Sequence, residues 1–383
     1  MKKSVPILAA IALALLQPPG MPAQKAPLES PKVRLAVGGK NSLFYLPLTV
    51  TEKLGYFKDE GLDVEFFDLG GGSKALQALV GGSADVTSGG YEHTIQMRAK
   101  GVPITAFVVQ GAHTDIAIGI IKGKIPDYRS PKDLKGKKIG VSSPGSSTHL
   151  TLNTLLSREG LKPEDVSVIG VGLTGAAVAA ARSGDLDAIS NVDPVMTILE
   201  AAGDVRIIAD ARTTEGSKAI FGGDYVAASL YTTEDFIRKN PRTVQALTNA
   251  MVRGLKWIQT ATNAEIAKLV PELSGGEPAI FETAIAKVRP TLSPDGRLPA
   301  GAAEIGFATL ALFDAQVKDD RGAIGLAAIH RFHRFACDEV QERSIDIGLY
   351  AEHVFDRRAF GLGIQQGLDL PLAVVRSKPS AHL

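Results

Sequence analysis

The sequence predicts an α/β fold of two similar Rossmann-like lobes, joined by two crossing segments and facing each other across a cleft. Three observations carry this. A stretch is repeated: residues 70–86 (GGGSKALQALVGGSADV) are answered by residues 174–189 (TGAAVAAARSGDLDAI), about a hundred positions on. At one constant offset Ala75 falls on Ala177, Leu76 on Val178, Ala78 on Ala180, Gly82 on Gly184 and Asp85 on Asp187. Each copy reads as a small-residue turn, a short amphipathic helix, a glycine turn, then Asp entering an apolar strand. The flanks repeat as well: residues 33–37 (VRLAV) and 137–141 (KKIGV) each open a copy, and Glu60-Gly61-Leu62 answers Glu159-Gly160-Leu161. Finally, 383 residues with 45% hydrophobic and 22% charged content are enough for two proper cores, and forty glycines suit many tight βα turns.

The first lobe begins with strand 33–37, a polar turn at Gly38–Ser42, and an apolar helical stretch 43–54 with Pro47 near its start. Residues 55–62 read as a helix stop and turn before strand 63–68. The repeated helix follows, then a strand ending on Gly89-Gly90-Tyr91-Glu92, a helix to Lys100 and strand 104–109. Ala112-His113-Thr114-Asp115 reads as the first crossing. Residues 116–121 form the next strand, followed by a charged turn, strand 138–141, a Ser/Gly turn and a helix through Arg158. Strands 166–171, 188–191 and 205–209 alternate with helices. Residues 217–225 are expected to return the chain, and 226–231 (VAASLY) resemble 116–121 and read as their partner. Helices 233–239, 242–260, 264–269 and 278–287 then pack on the first lobe. The expected division is 32–114 plus 220–321 for lobe I and 115–219 for lobe II.

Both ends are read apart from this frame. Lys2 and Lys3, the twelve-residue apolar run 5–16 and the breakers Pro18, Pro19, Gly20 and Pro22 make residues 1–23 an expected signal peptide. The apolar run is too short to span a bilayer. No cysteine stands at the cleavage point for a lipid anchor, so the mature chain is expected free in the periplasm. The single cysteine, Cys337, cannot form an internal disulfide. Residues 322–383 form an atypical tail holding four of the seven histidines. Net charge +1 gives no electrostatic case for nucleic acid or an anionic membrane surface.

The densest binding signal is residues 142–149, SSPGSSTH, between a strand and a helix. One N-cap needs one hydroxyl, whereas here five hydroxyls fall in seven positions. Ser143, Gly145, Ser146, Ser147 and Thr148 are therefore candidates, with the free N–H groups of the following turn. The facing loops of lobe I contribute Asn41, Ser42, Tyr45, Gly72, Ser73, Tyr91 and Glu92, all at the C-terminal ends of strands where open α/β sheets take ligands. Tyr45 and Tyr91 are expected to stack on an organic ligand, and Glu92 to accept from an amine or ring N–H. Asn191, Asp193 and Tyr225 complete the set. Gly170 to Gly175 match G-x-G-x-x-G, but at the lobe's second βα joint, where the repeat already explains the glycines. We therefore expect no cofactor. No G-x-S-x-G, S-x-x-K or H-E-x-x-H occurs, Ser147 and His149 point apart on one helix, and the histidines do not cluster, so neither hydrolysis nor a metal is expected.

Taken in order, Gly55-Tyr56-Phe57, Gly61-Leu62-Asp63-Val64, Gly72-Ser73, Gly82 to Asp85, residues 133–139 (DLKGKKI), Gly145-Ser146-Ser147-Thr148, Gly184 to Asp187 and Asp193-Pro194 resemble the periplasmic substrate-binding proteins of nitrate/sulfonate/taurine-type ABC importers, a group related to pyrimidine-precursor synthases. The resemblance covers about 33–255. It implies a type II periplasmic-binding fold, a small-molecule ligand (sulfonate, amine or pyrimidine-like), delivery to an ABC permease and its ATPase, membrane contact only through that permease, and a monomer without enzymatic activity. The runners-up are an enzyme related to the pyrimidine-precursor synthases and a ligand-sensing partner of a membrane receptor. Two departures stand out. No Arg lies beside the ligand loops to clamp a sulfonate, and the chain past about Arg321 does not follow the family.

Overall fold

The computed structural model of the chain describes residues 26–319. The expected signal peptide, the tail 322–383 and Cys337 lie outside the described residues. Ten strands run in chain order as β1 (Lys32–Val37), β2 (Asp63–Asp68), β3 (Val86–Gly90), β4 (Ile104–Val109), β5 (Ala117–Ile121), β6 (Lys138–Val141), β7 (Ser167–Gly170), β8 (Ala188–Asn191), β9 (Val205–Asp210) and β10 (Ala228–Thr233). They form two five-stranded sheets, ordered β2-β1-β3-β10-β4 and β7-β6-β8-β5-β9. The two orders superimpose position by position. In each, the fourth strand is antiparallel to both neighbours, while the first three run parallel. The segments 33–37 and 138–141 thus sit in separate sheets, and the chain is a two-lobed α/β protein.

Strand position explains the residues used. β4 and β5 are buried throughout, and their apolar runs ITAFVV and AIGII suit strands covered on both faces. The edge strands β2 and β7 are largely exposed and carry polar residues. The first sheet packs on the helix Pro241–Thr260 through Val244, Leu247 and Met251 against Leu35, Val37 and Leu230. The second sheet buries Ile139, Val141 and Ile118 against Leu152 and Leu156 of the helix Ser147–Arg158.

The repeat extends to single hydrogen bonds. The helices Gly72–Val80 and Gly175–Arg182 occupy equivalent places. Gly82 at φ +74° and Gly184 at φ +88° take the left-handed conformation that ends each turn. Asp85 Oδ2 then accepts from Arg34 N at 2.9 Å and Asp187 Oδ2 from Lys138 N at 2.8 Å. In both copies the same Asp also donates its own N–H to that residue's carbonyl, at 2.8 Å. Each Asp thereby pins the start of a neighbouring parallel strand. Asp187→Ala leaves Lys138 N–H without this acceptor and is expected to cost about 1 kcal/mol, read as a lower urea midpoint; Asp187→Asn, which keeps an acceptor, should cost less.

Four expectations are corrected. The stretch 43–54 is not one helix: a 3-10 turn, Leu43–Tyr45, precedes the helix Leu46–Lys53, which has Pro47 in its first turn. The turn at 55–62 holds a one-turn helix, Tyr56–Asp59, entered through Gly55 at φ +75°. Much of the expected return crossing is the helix Thr214–Phe221, begun where Thr213 accepts from Gly216 N, so the return runs through residues 222–227. Finally, β10 does not pair with β5. The two take equivalent places, one in each sheet, because each enters its lobe directly after a crossing.

Candidate functional site

The C-terminal ends of β1, β3, β6 and β8 meet in a seam between the lobes, and short side chains close it. Ser73 N donates to Ser146 Oγ at 3.0 Å, and Ser73 Oγ donates to Pro144 O at 2.9 Å. Ser73 Oγ also lies 2.8 Å from Ser143 Oγ, which is 2.7 Å from Ser146 Oγ. His93 Nε2 reaches Gly145 O at 3.2 Å, while its Nδ1 faces Tyr231 OH at 3.1 Å. On the far side Leu43 N donates to Asp193 O at 2.8 Å. Glycines permit this closeness: a Cβ on Gly71 would collide with Ser143 Oγ, and one on Gly39 would stand 2.6 Å from Leu173.

The candidate hydroxyls divide by task. Thr148 Oγ1 accepts from Ser142 N at 2.9 Å and bonds Ser142 Oγ at 2.8 Å, so it closes its own turn. Ser143 and Ser146 span the seam. Gly145, at φ +83°, donates its N–H to His149 Nδ1 at 2.9 Å. Burial pushes the His149 pKa down, which suits a neutral ring whose Nδ1 accepts the hydrogen bond from Gly145 N–H. Ser147 is half-buried and faces Glu92: a Cβ on Gly90 would collide with both Glu92 Oε1 and Ser147 Oγ. Ser42 Oγ donates to Gly39 O at 2.8 Å and fixes the first turn. Asn41 is exposed, at a pocket of about 90 Å³ shared with Thr174, Pro194 and Glu272. Gly72 lies opposite Tyr45 OH, His93 and Ser146.

Three candidates do not face the seam as expected. The Tyr91 ring packs in the first lobe's core with Ile95, Val226 and Ala302, so it cannot stack on a ligand between the lobes. Asn191 spends its amide inside lobe II, donating to Gly172 O at 3.0 Å and accepting from Val192 N at 2.9 Å. Asp193 caps the helix Val195–Ala201, with Oδ1 accepting from Thr197 N at 2.7 Å, and its Oδ2 lies 3.6 Å from Arg212 Nη1. Tyr225 is a separate case: it stacks on Phe221 with ring centroids 4.0 Å apart, yet it lies close enough to Glu92 for that charge to act on its phenol.

Glu92 is the electrostatic centre of the seam. It is 1% exposed, and neither carboxylate oxygen has a hydrogen-bond partner among the described residues. Burial pushes the phenols of Tyr45, Tyr225 and Tyr231 above their ordinary value, and the Glu92 charge pushes each the same way. In the first crossing, Asp115 is buried with both oxygens unpartnered. Burial first, and then the neighbouring Asp193, push its carboxyl up to about 8.

A protein-family model described as NMT1/THI5 like matches residues 44–263, which include the whole second sheet. The chain belongs to the NMT1/THI5-like family. A solved structure from Bordetella bronchiseptica RB50 is similar at 50% identity and a TM-score of 0.78, covering 82% of this chain and all of that one. The alkanesulfonate-binding protein SsuA of Xanthomonas axonopodis pv. citri, bound to MOPS, shares the fold at 21% identity and a TM-score of 0.62, over 76% of this chain and 94% of its own. The 4-amino-5-hydroxymethyl-2-methylpyrimidine phosphate synthase THI13 of Saccharomyces cerevisiae is 25% identical over 238 residues, 60% of this chain and 68% of that protein. The resemblance drawn from the sequence therefore holds, and so does the two-lobed periplasmic-binding fold.

In this NMT1/THI5-like chain the sequence reading missed His93, Tyr231, Asp115 and Arg212. His93 stood next to a chosen residue, and its position one step past Glu92 was the available signal. Tyr231 reads as one apolar residue of a core strand. Arg212 qualifies the expectation that no Arg lies near the ligand loops, since its guanidinium faces Asp193. It is nevertheless held by Asp210 at 2.7 Å and Glu200 at 3.1 Å, so its fork is already engaged. Among the described residues, no three or more His, Cys, Asp or Glu gather to hold a metal ion.

Proposed function

We propose that the chain is the solute-binding component of an ABC importer. In this reading it works in the periplasm as a monomer, captures a small organic molecule between its lobes and delivers it to a permease with its ATPase. The observation that carries the reading is the seam itself. Ser73 of one lobe bonds directly to Ser143, Pro144 and Ser146 of the other, at the strand ends where open α/β sheets take ligands. Only residues 111–116 and 222–227 link the two sheets in sequence, so hinge rotation about them opens the seam. Asn41, Ser42, Tyr45, Gly72, Ser73, Glu92, the 143–148 loop and Tyr225 border the proposed site. The fold shared with SsuA supports a binder.

The second reading is an enzyme, favoured by the 25% identity with the yeast synthase. Thermal-shift screening of sulfonates, amines and pyrimidines, with mass spectrometry of each mixture, separates the two. A melting rise with one class and no new product supports the binder; a new product moves the assignment to an enzyme. Seam closure has its own test. Gly71 has an extended backbone (φ 179°), so Gly71→Val acts through its clash with Ser143 alone. It is expected to weaken ligand binding at least tenfold, about 1.4 kcal/mol, in calorimetry. Small-angle scattering should show the wild type compacting with ligand and the variant staying open.

A further inference from the structure

The charges at the seam are unbalanced in a way that names a ligand class. Glu92 begins the helix Glu92–Ala99 and is buried against the opposite lobe, with both oxygens lacking a hydrogen-bond partner. Among the described residues, no Lys, Arg or His forms an ion pair with it. The cationic or potentially cationic groups nearby are engaged elsewhere. Arg98, on the same helix, pairs with Glu234. Arg212 is held by Asp193, Glu200 and Asp210. His93 uses one ring nitrogen on Tyr231 and the other on Gly145. A buried carboxylate without a partner is costly, and proteins retain one where a bound group supplies the missing contact.

The strand leading to Glu92 is shaped to make room for its carboxylate. β3 ends in Gly89-Gly90. A Cβ on Gly89 would stand 2.5 Å from Tyr231 OH, and one on Gly90 would strike Glu92 Oε1 and Ser147 Oγ. Absence of a side chain at Gly90 lets the Glu92 carboxylate and the Ser147 hydroxyl approach from the two lobes, and Tyr231 OH, in the space beside Gly89, is close enough to feel the Glu92 charge. All three can accept hydrogen bonds, and no fixed cation stands among them for an anion.

Resting on the solute-binding reading, we propose that the ligand is a small organic cation, a protonated amine or amidine, and that Glu92 is its counter-charge. A sulfonate or nitrate would meet the Glu92 carboxylate with like charge. Rejection of anions is thus built into the site, as well as attraction of cations.

The test uses the full chain and low-molecular-mass yeast extract separated into cation-exchange-retained, anion-exchange-retained and unretained fractions. Melting temperature and native mass spectrometry are read for each. The cation-retained fraction should raise the wild-type melting temperature by several degrees and add a discrete mass. Glu92→Gln should lose that shift and weaken binding of the purified adduct at least tenfold. Without ligand, Glu92→Gln should melt no lower than wild type, because it removes a buried carboxyl group whose oxygens have no hydrogen-bond partner. Should Glu92→Gln fail to fold, Gly90→Ala, which crowds the carboxylate, is expected to show the same loss. A shift with the anion-retained or unretained fraction alone, kept by Glu92→Gln, would overturn the cation assignment and leave solute binding standing. No shift with any fraction would overturn both.

Discussion

Arg212→Ala is expected to destabilise the chain by about 3–5 kcal/mol, the cost of leaving a buried charge without its partner. Arg212 is only 2% exposed. Its Nε and Nη2 donate to the two oxygens of Asp210 at 2.8 and 2.7 Å. Nη2 also donates to Glu200 Oε2 at 3.1 Å, and Nη1 donates to Thr197 Oγ1 at 3.3 Å while facing Asp193 Oδ2 at 3.6 Å. These carboxylates would not suffer equally. The side chains of Glu200 and Asp210 are 38% and 34% exposed, so water can take over part of the role, and Glu200 keeps Lys287 at 2.7 Å. Asp193 is fully buried and keeps only its cap to Thr197. The loss therefore concentrates on Asp193. Arg212→Met should cost nearly as much as alanine, because it fills volume without supplying charge. Adding Asp193→Asn to Arg212→Met should recover a large part. Urea midpoints at constant slope measure all three, and a loss below about 1 kcal/mol would mean that Asp193 does not depend on the guanidinium.

The second large effect is on pH. Stability should fall as pH rises from about 4 towards 8. The Asp115 carboxyl is pushed up to about 8 in the folded chain, whereas an unfolded aspartate titrates near 3.9. Between those values the folded chain holds a proton that the unfolded chain has released. Such a group supports folding fully below the lower value and withdraws that support as pH climbs through the upper one. The slope approaches ~1.4 kcal/mol per pH unit for one group. Asp193, raised by the same burial and opposed by Arg212, acts in the same direction. Asp210 and Glu200 are lowered by Arg212 and, for Glu200, first by Lys287; their opposing dependence falls in the acid range, at or below the ordinary carboxylate values. Below about 6.5 the lowered His149 pulls the other way, so urea denaturation at pH 4.5, 6 and 7.5 is read as the difference between wild type and Asp115→Asn. Asp115→Asn, which has no proton to lose, should flatten the profile, and an unchanged profile would place the titration elsewhere.

The repeat was legible because its determinants are local. Gly82 and Gly184 must turn left-handed, and Asp85 and Asp187 each bond the adjacent parallel strand, so the same letters recur wherever the same joint is built. β4 and β5 were legible because burial throughout their length requires unbroken apolar runs. The site was legible only as a set of loops. Tyr91 and Glu92 are adjacent in sequence, yet one packs in the lobe's core and the other reaches the seam, a divergence that depends on how the helix is rolled against its neighbours. Thr148 looked like a ligand group, but its hydroxyl closes the turn that presents Ser143 and Ser146. Arg212 was hidden because its partners at positions 193, 200 and 210 come together only when β9 and the helix Val195–Ala201 pack side by side.

The placement of β10 between β3 and β4 has a consequence for how the molecule is made. As the chain emerges from its amino end, β5 to β9 are all delivered before residue 228, so the inserted sheet can be sealed first. The earlier sheet meanwhile waits with an open slot, its β3 and β4 edges unpaired until the last strand arrives and zips between them. Synthesis order and closure order are therefore opposite for the two sheets, and this slot is where a helper protein guarding nascent chains has most to shield.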